Sequence, residues 1–229
     1  MITLKRRQLI FLTLFINYAV DIYSQSAQSR LPVTVLSSQD TTKPMILYIS
    51  GDGGWNKFST SFMDTMNRRG FTVIGLNAKE YFWHRKDPEG TAIDVNSLVS
   101  VYMKKMKLNK VVMIGYSMGA DIMPFVVTRC KKDLLDKLKY IVLMSPSATT
   151  DFEVHITDLL GIGNESGENV AAEINKITQP LLLVFGSKEN TFPLKKITIN
   201  NYKVNRLPGG HHYDGNPTAV CDLILSYIR

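Results

Sequence analysis

The sequence predicts an α/β protein in which helices cover both faces of a mostly parallel central sheet. Two observations lead to this prediction. Short apolar runs bounded by turn residues recur along the chain, and stretches with helical periodicity separate them, which is the pattern of repeated βαβ units. The composition, 45% hydrophobic and 21% charged over 229 residues, suits a chain with one sizeable core.

Residues 1–25 form a separate segment, which we predict to be a signal peptide. Basic residues at 5–7 precede an apolar run at 9–20 that is shorter than a membrane-spanning helix requires. An uncleaved signal anchor is the alternative, and the polar Asn17 disfavours it. We therefore expect a periplasmic or secreted protein with a single domain over residues 26–229.

The net charge excludes some partner classes. It is +7 for the whole chain, and removing residues 1–25, which carry +2, leaves a mild excess of +5. The basic residues are scattered, and no stretch interleaves them with aromatics as in binders of single-stranded nucleic acid. We therefore expect no nucleic-acid partner and, at most, peripheral contact of solvated basic faces with an anionic membrane surface.

Neither the cysteines nor the histidines predict a metal site. Cys130 and Cys221 fall on helices that we expect on opposite faces of the sheet, so a disulfide between them is geometrically excluded. No cluster has the spacing of zinc ligands, so we expect no metal and no cofactor.

Seven apolar runs are predicted to be strands, and four periodic stretches are predicted to be helices. The strands are 33–36, 45–49, 72–76, 110–114, 140–144, 181–185 and 202–207. The helices are 58–69, 93–106, 118–128 and 217–228. The stretch 146–179 breaks this rhythm, and its glycines and apolar residues indicate either a lid over a site or a plain surface excursion.

The run Gly115-Tyr116-Ser117-Met118-Gly119 follows a predicted strand directly and precedes a predicted helix. This is the context of a nucleophile elbow, in which a sharp turn strains the serine backbone and brings chain segments close together. Glycines at both ends of the run meet that steric demand. The sequence therefore predicts an α/β-hydrolase fold with Ser117 as the nucleophile.

A histidine late in the chain must serve as the base, because this fold places serine, acid and histidine in that order. The loop between the last predicted strand and the last helix holds His211 and His212. We prefer His212, because the spacing Pro208-Gly209-x-x-His is the commoner one for such loops. His211 is the reserve choice, and it is otherwise a candidate substrate contact.

The base needs an anion to fix its tautomer, and the turn after the penultimate strand is the usual place for one. Glu189 lies in that turn, three residues past Gly186. Asp214 is the rival, although it follows the histidines closely. The prediction is therefore a triad with Glu189 as its acid.

Negative charge that develops on the substrate oxygen requires preorganised N–H donors. We expect one donor from Met118 and a second from Asp52 or Gly53, in the glycine-rich run 50–55. A phosphate-binding loop is the competing interpretation. We reject it, because the run 51–57 lacks the glycine before its lysine and a serine or threonine after it.

Several unusual runs, in the right order from about Met45 to the C-terminus, resemble the bacterial VirJ/AcvB virulence-protein family. They are SGDGGW (50–55), YFW (81–83), GYSMGAD (115–121), DFEVH (151–155) and GGHHY (209–213). The resemblance implies a periplasmic α/β hydrolase that removes lysine from lysyl-phosphatidylglycerol. It also implies a secretion-system partner in some bacteria.

Other side chains of these runs are candidate substrate contacts. Trp55 is one, and Tyr81 and Trp83 either line a pocket wall or belong to the core. Asp121 lies one helical turn past the nucleophile and either binds a substrate ammonium group or bonds to a neighbouring loop. The remaining candidates, for the lining of a lid, are Glu153 and His155.

Two alternatives to a lipid-ester hydrolase remain open at this stage. One is a non-catalytic accessory protein of a secretion apparatus that uses its surface to bind partners, which an intact triad disfavours. The other is a general esterase or peptidase with no lipid preference, since selectivity for the acyl group lies in the shape of the pocket.

Overall fold

A seven-stranded sheet forms the centre of the computed structural model, which describes residues 31–155 and 167–228. The predicted signal peptide, residues 1–25, and the middle of the predicted lid, residues 156–166, lie outside the described residues. Within the two described ranges, no helix has the length and apolarity needed to cross a bilayer.

The strands of the described residues are β1 (Val33–Leu36), β2 (Met45–Ile49), β3 (Val73–Leu76), β4 (Val111–Tyr116), β5 (Leu138–Met144), β6 (Thr149–Thr150), β7 (Glu168–Asn169), β8 (Leu181–Gly186) and β9 (Tyr202–Leu207). All except the polar β6 and β7 coincide with the strands predicted from the sequence, within a few residues at their ends. The sheet order is β1-β3-β2-β4-β5-β8-β9. Only β1 runs antiparallel to its neighbour within this sheet, whereas β6 and β7 form a separate antiparallel pair.

Helices cover both faces of the sheet. They are α1 (Lys57–Arg68), α2 (Ala78–Tyr81), α3 (Pro88–Lys105), α4 (Met118–Thr128), α5 (Lys132–Leu135), α6 (Val170–Ile174) and α7 (Pro217–Ile228). Helices α1 and α7 pack together on one face, and α4 packs against α3 and α6. Strands β2, β4 and β8 are buried along their whole length, which explains why their sequences are nearly continuous apolar runs.

Alternate residues of the strands serve the two layers. Ile46 and Tyr48 of β2 belong to the cluster that α1 and α7 complete, whereas their neighbours point to the opposite face. Cys221 lies in this cluster, and Cys130 lies just after α4 in the other layer. Both cysteines are free thiols.

The predicted α/β class with a mostly parallel sheet is confirmed. The main difference in the boundaries is the start of α3, which is Pro88 rather than residue 93. The Asp87 carboxylate caps this end, because its Oδ1 accepts the Gly90 N–H at 2.7 Å, and Pro88 fits the first helical turn. The predicted lid stretch contains the β6–β7 pair and α6 among its described residues.

Candidate active site

Ser117 stands at a strained turn between β4 and α4. Its backbone has φ +52° and ψ −122°, a region that side-chain-bearing residues rarely adopt. The chain approaches itself closely on both sides: a Cβ at Gly115 would lie 2.1 Å from Gly119 O, and one at Gly119 would lie 2.2 Å from Ile49 O. Only glycine fits at these two positions, so the turn has the geometry expected of a nucleophile elbow.

His211 is the histidine that faces the serine. Its Nε2 lies 2.8 Å from Ser117 Oγ, and its Nδ1 lies 2.9 Å from Glu189 Oε1. His212 points elsewhere, with Nδ1 2.5 Å from the Tyr116 hydroxyl. The preference for His212 is therefore corrected. The physical reason is the next residue, because Tyr213 is buried and stacks on Phe58, which turns residue 211 inward and leaves residue 212 exposed.

Glu189 is held through both carboxylate oxygens. Oε1 faces His211, and Oε2 accepts the Gly186 N–H at 2.5 Å and the Ser145 hydroxyl at 2.8 Å. Burial raises the pKa of Glu189, but the hydrogen bonds from His211, Gly186 and Ser145 outweigh it and hold the pKa below its ordinary value. The rival Asp214 packs against Gly209 instead, where an added Cβ would lie 2.4 Å from its Oδ1.

The glycine-rich loop after β2 runs beside the nucleophile. A Cβ at Gly51 would lie 3.1 Å from Ser117 Cβ. Of the two predicted loop donors, Gly53 gives its N–H to the Asp52 side chain at 2.9 Å, so the Asp52 N–H is the better candidate. Met118 is the first residue of α4, where an N–H has no partner within the helix. Their role as an oxyanion hole stays a prediction.

Asp121 is buried one turn into α4. Its Oδ1 accepts the Ser147 N–H at 2.5 Å, which is the loop contact that the sequence left open. Burial raises the pKa of this carboxyl well above its ordinary value; hydrogen bonds from Ser147 oppose that shift, and the charge of Asp52 adds to it. The side chain therefore ties α4 to the chain that leaves β5.

The predicted aromatic contacts divide between core and surface. Tyr81 is 6% exposed, and its hydroxyl donates to Asp94 Oδ2 at 2.6 Å. Trp55 is half-buried over β3, with its ring 2.9 Å from a Cβ built on Gly75. Trp83 is 50% exposed. Tyr81 and Trp55 therefore pack within the fold, whereas Trp83 lies at the surface.

Glu153 and His155 lie where the described chain stops before residue 156. His155 Nε2 pairs with Asp151 Oδ2, and the Glu153 N–H donates to Asp151 Oδ1 at 3.3 Å. Asp151 thus organises this segment. A relation of the two residues to a lid stays a prediction.

Three side chains that the sequence reading missed contact the site. Tyr116 meets His212, Ser145 donates to Glu189, and the Tyr213 hydroxyl lies 2.7 Å from Ser145 Oγ. A signal for Ser145 was available, because it directly follows β5 and so lies at the same sheet edge as Ser117. The hydroxyl of Tyr213 had no comparable sequence signal.

Comparisons with known proteins agree with this fold. A family model described as bacterial virulence protein (VirJ) matches residues 43–229. No curated protein sequence matches the chain. Among solved structures, a lipase-esterase related protein from Clostridium acetobutylicum is similar with a TM-score of 0.64 and 15% identity, covering 86% of this chain and 99% of that chain.

Two further solved structures are similar over almost their whole length. The hydrolase olei00960 from Oleispira antarctica has a TM-score of 0.62 and 15% identity, covering 90% of this chain and 97% of that chain. Est1E from Butyrivibrio proteoclasticus has a TM-score of 0.60 and 16% identity, covering 86% and 93%. At these identities the similarity shows the shared fold.

Proposed function

The chain belongs to the family of bacterial virulence proteins (VirJ), and we propose that it is a serine hydrolase that cleaves an ester through an acyl-enzyme on Ser117. One observation carries the proposal: hydrogen bonds run from Ser117 Oγ through both nitrogens of His211 to Glu189, at 2.8 and 2.9 Å. A hydroxyl, an imidazole and a carboxylate in this order activate serine for attack on a carbonyl carbon.

In the first half of the reaction, His211 Nε2 takes the Ser117 hydroxyl proton while Oγ attacks the ester carbon. The carbonyl oxygen becomes an oxyanion, which the N–H groups of Met118 and Asp52 stabilise. Glu189 stabilises the imidazolium that forms. Collapse of the tetrahedral intermediate breaks the ester bond, and the departing alcohol takes the proton from His211.

In the second half, water replaces the alcohol. His211 removes a proton from the water as its oxygen attacks the acyl carbon, and the same proton returns to Ser117 Oγ when the acyl bond breaks. The carboxylic acid leaves, and the enzyme returns to its starting state. No redox partner is needed, because the net reaction consumes only water.

We propose further that the substrate is an aminoacyl ester, lysyl-phosphatidylglycerol. The family resemblance implies this lipid, and the charge beside the nucleophile supports it. Asp52 directly follows Gly51, where an added Cβ would lie 3.1 Å from Ser117 Cβ, so Asp52 belongs to the loop beside the elbow. Burial raises the pKa of Tyr116 in the elbow, and the charge of Asp52 adds to that shift. A carboxylate there opposes an oxyanion unless the substrate brings a cation, and an aminoacyl ester carries an ammonium group next to its carbonyl.

The decisive experiment measures lysine release from lysyl-phosphatidylglycerol by the wild type, by Ser117→Ala, and by Ser100→Ala as a control on the exposed face of α3. We expect release by the wild type and the control but not by Ser117→Ala. Equal silence from all three favours the accessory-protein alternative. Release of fatty acids together with lysine marks an esterase without preference for the aminoacyl bond.

Asp52→Asn tests the selectivity separately from the chemistry. Removal of the charge weakens turnover of the lysyl ester by roughly tenfold, on the scale of one lost ion pair, while a neutral acetyl ester is cleaved equally well or better. An equal loss on both esters would show that Asp52 acts on the fold or on the shared chemistry, and would remove its role in choosing the substrate.

A lipid substrate requires contact with a membrane surface, and we propose that the loop after α2 makes it. Trp83 is 50% exposed there, next to the exposed Arg85 and Lys86. Tryptophan favours the bilayer interface, and cations favour anionic headgroups. The α2 segment that precedes the loop is bonded to the loop after β2, because the Ala78 N–H donates to Ser50 Oγ at 3.0 Å.

Sedimentation with phosphatidylglycerol vesicles tests this contact. Trp83→Ala should weaken binding to anionic vesicles several-fold, whereas Val204→Ala, an exposed apolar change on β9 at the opposite edge of the sheet, should not. Equal binding by both variants would exclude the loop after α2 as the membrane contact.

We also propose that the protein acts outside the cytoplasm, on the basis of the basic residues 5–7 and the apolar run 9–20. Cell fractionation of a producing bacterium, followed by sequencing of the mature N-terminus, tests this. Recovery in the periplasm with a new N-terminus near residue 25 is expected, and recovery of the uncut chain in the cytosol would contradict it.

A further inference from the structure

The loop between β9 and α7 is tied to three different elements by three consecutive residues. His211 meets Ser117 and Glu189, and His212 meets Tyr116. The third residue, Tyr213, reaches away from the nucleophile into the buried layer under α1. The contacts of His211 belong to the proposed chemistry. The buried position of Tyr213 has no role in that chemistry so far.

The Tyr213 hydroxyl ends beside Ser145. It lies 2.7 Å from Ser145 Oγ and 3.0 Å from Val184 O, so its single proton is shared between these two acceptors. Because the Ser145 proton points at Glu189 Oε2, 2.8 Å away, the tyrosine is the donor in its pair with the serine. Both hydroxyls are buried, since Ser145 is 1% and Tyr213 is 2% exposed.

These contacts close a ring. From His211 the hydrogen bonds lead to Glu189, then to Ser145, then to Tyr213, and the backbone returns from Tyr213 to His211 two residues earlier. Each hydroxyl in the ring gives its proton towards the carboxylate side, so the acid receives a directed chain of donors.

We propose that Ser145 and Tyr213 are positioning residues that hold the Glu189 carboxylate in the plane and orientation needed by His211. This inference rests on the proposed function, because it concerns the acid of that reaction. A glutamate side chain has three rotatable bonds and loses much rotamer freedom when fixed. Two donors on Oε2, the Gly186 N–H and the Ser145 hydroxyl, leave Oε1 directed at the imidazole.

Ser145 and Tyr213 both adopt a backbone conformation that their own residue types disfavour. Ser145 and Tyr213 each have φ +52°, which is unfavourable for residues with side chains. Such conformations persist where surrounding contacts determine them, and they cluster at functional sites. Here the side-chain bonds of the ring act together with backbone bonds, since the Ser145 N–H donates to Val184 O at 2.7 Å and the Tyr213 N–H donates to Gly210 O at 3.0 Å.

The first test uses single variants with a matched control. Tyr213→Phe and Ser145→Ala each remove one hydroxyl from the ring. Tyr48→Phe removes an equally buried hydroxyl, bonded to Ser59 Oγ at 3.0 Å, from the same layer. We expect kcat to fall about 10- to 100-fold for Ser145→Ala and less for Tyr213→Phe, with KM and melting close to those of the control.

The second test asks whether the effect passes through the acid. In a Glu189→Ala background, Ser145→Ala should cause no further loss of kcat, because its target is already absent. A purely structural serine would instead lower kcat by the same factor in both backgrounds, and that result would overturn the proposal. Unchanged kcat in both single variants would overturn it as well.

A spectroscopic measurement separates this inference from the proposed function. The proton between His211 Nδ1 and Glu189 should give a low-field NMR resonance in the wild type that shifts or broadens in Ser145→Ala but persists in Tyr48→Phe. If that pattern appears and no ester is turned over, the positioning stands and the proposed function fails. If the resonance is the same in all three proteins, the positioning fails whatever the activity.

Discussion

Two glutamates, one partly buried at the sheet edge that carries the active site and one buried in a helical layer, show how the same residue type serves two different functions. Glu189 follows β8 at the active-site edge, and Glu173 lies in α6 against α4. Burial raises the pKa of Glu173, but hydrogen bonds from Lys176, Thr128 and Arg129 outweigh it. The pKa of Glu189 is also below its ordinary value: burial raises it, but hydrogen bonds, first of all the one from His211, outweigh burial.

The difference lies in the partners. Glu173 meets cations that stay charged, with Arg129 at 2.8 Å and Lys176 at 2.5 Å, so its ion pairs are complete in the resting protein. Glu189 faces an imidazole that gains its charge only during the proposed reaction. Glu173 therefore stabilises the fold, whereas Glu189 is placed to stabilise the positive charge that His211 carries transiently during the proposed reaction.

The largest expected effect comes from a substitution at Ser117, which also tests whether its backbone is strained. Ser117→Gly removes the nucleophile and also relieves a backbone at φ +52°. Activity should fall by roughly 10⁴-fold or more, while the free energy of unfolding should stay level or rise by about 1 kcal/mol. Ester turnover and urea denaturation measure both. A clear loss of stability would show that the elbow stores no strain.

The two adjacent histidines at the active site should differ strongly in their effect on kcat. His211→Ala removes the group that contacts Ser117 and should lower kcat by roughly 10⁴-fold. His212→Ala removes only the contact with Tyr116 and should cost less than about tenfold, on the scale of one hydrogen bond. Steady-state kinetics on one ester substrate decides, and the reverse ranking would restore His212 as the base.

This pair of histidines also marks where the sequence stops being informative. Strands β1, β2 and β9 and helices α4 and α7 have the predicted bounds, because apolar periodicity and turn residues mark their ends. The order of serine, acid and histidine along the chain likewise predicts the loops that meet. Adjacent residues share these signals, however, and the loop spacing that separated them favoured the wrong histidine. The burial of Tyr213, which accompanies the inward turn of His211, is visible only in the folded structure.

Other elements were missed for a related reason. Helices α2, α5 and α6 have four or five residues, too few for a helical period to stand out, and tertiary contacts hold them. The bond from Ser145 to Glu189 joins residues 44 positions apart. A hydroxyl that acts over that separation leaves no local pattern, so the ring behind the acid emerges only from the folded structure.

Neutralising each glutamate should produce opposite phenotypes. Glu189→Gln should lower kcat by roughly 10³- to 10⁴-fold, because the amide no longer fixes the His211 tautomer. Glu173→Gln should leave kcat unchanged and lower the free energy of unfolding by about 1–3 kcal/mol, because it weakens buried charged hydrogen bonds. Kinetics and urea denaturation on both variants test this. Similar phenotypes would show that Glu189 and Glu173 do not divide into a catalytic and a stabilising residue.

The smallest expected effect concerns pH. The folded pKa of Glu173 lies below its ordinary value of 4.5, so its contribution to stability is present above about pH 4.5 and is lost as pH falls through the folded pKa. The wild type should therefore lose more stability than Glu173→Gln between about pH 6 and about pH 3.5. Parallel losses in urea melts would contradict the assigned ion pairs.

The central claim is that Ser117 is activated by His211, and covalent labelling tests it most directly. The wild type and His212→Ala should each take up one fluorophosphonate, with the adduct mapped by peptide mass spectrometry to Ser117, whereas His211→Ala should remain unlabelled at the same exposure. An adduct that persists in His211→Ala and vanishes in His212→Ala, or a wild type that takes up none at Ser117, would contradict the account.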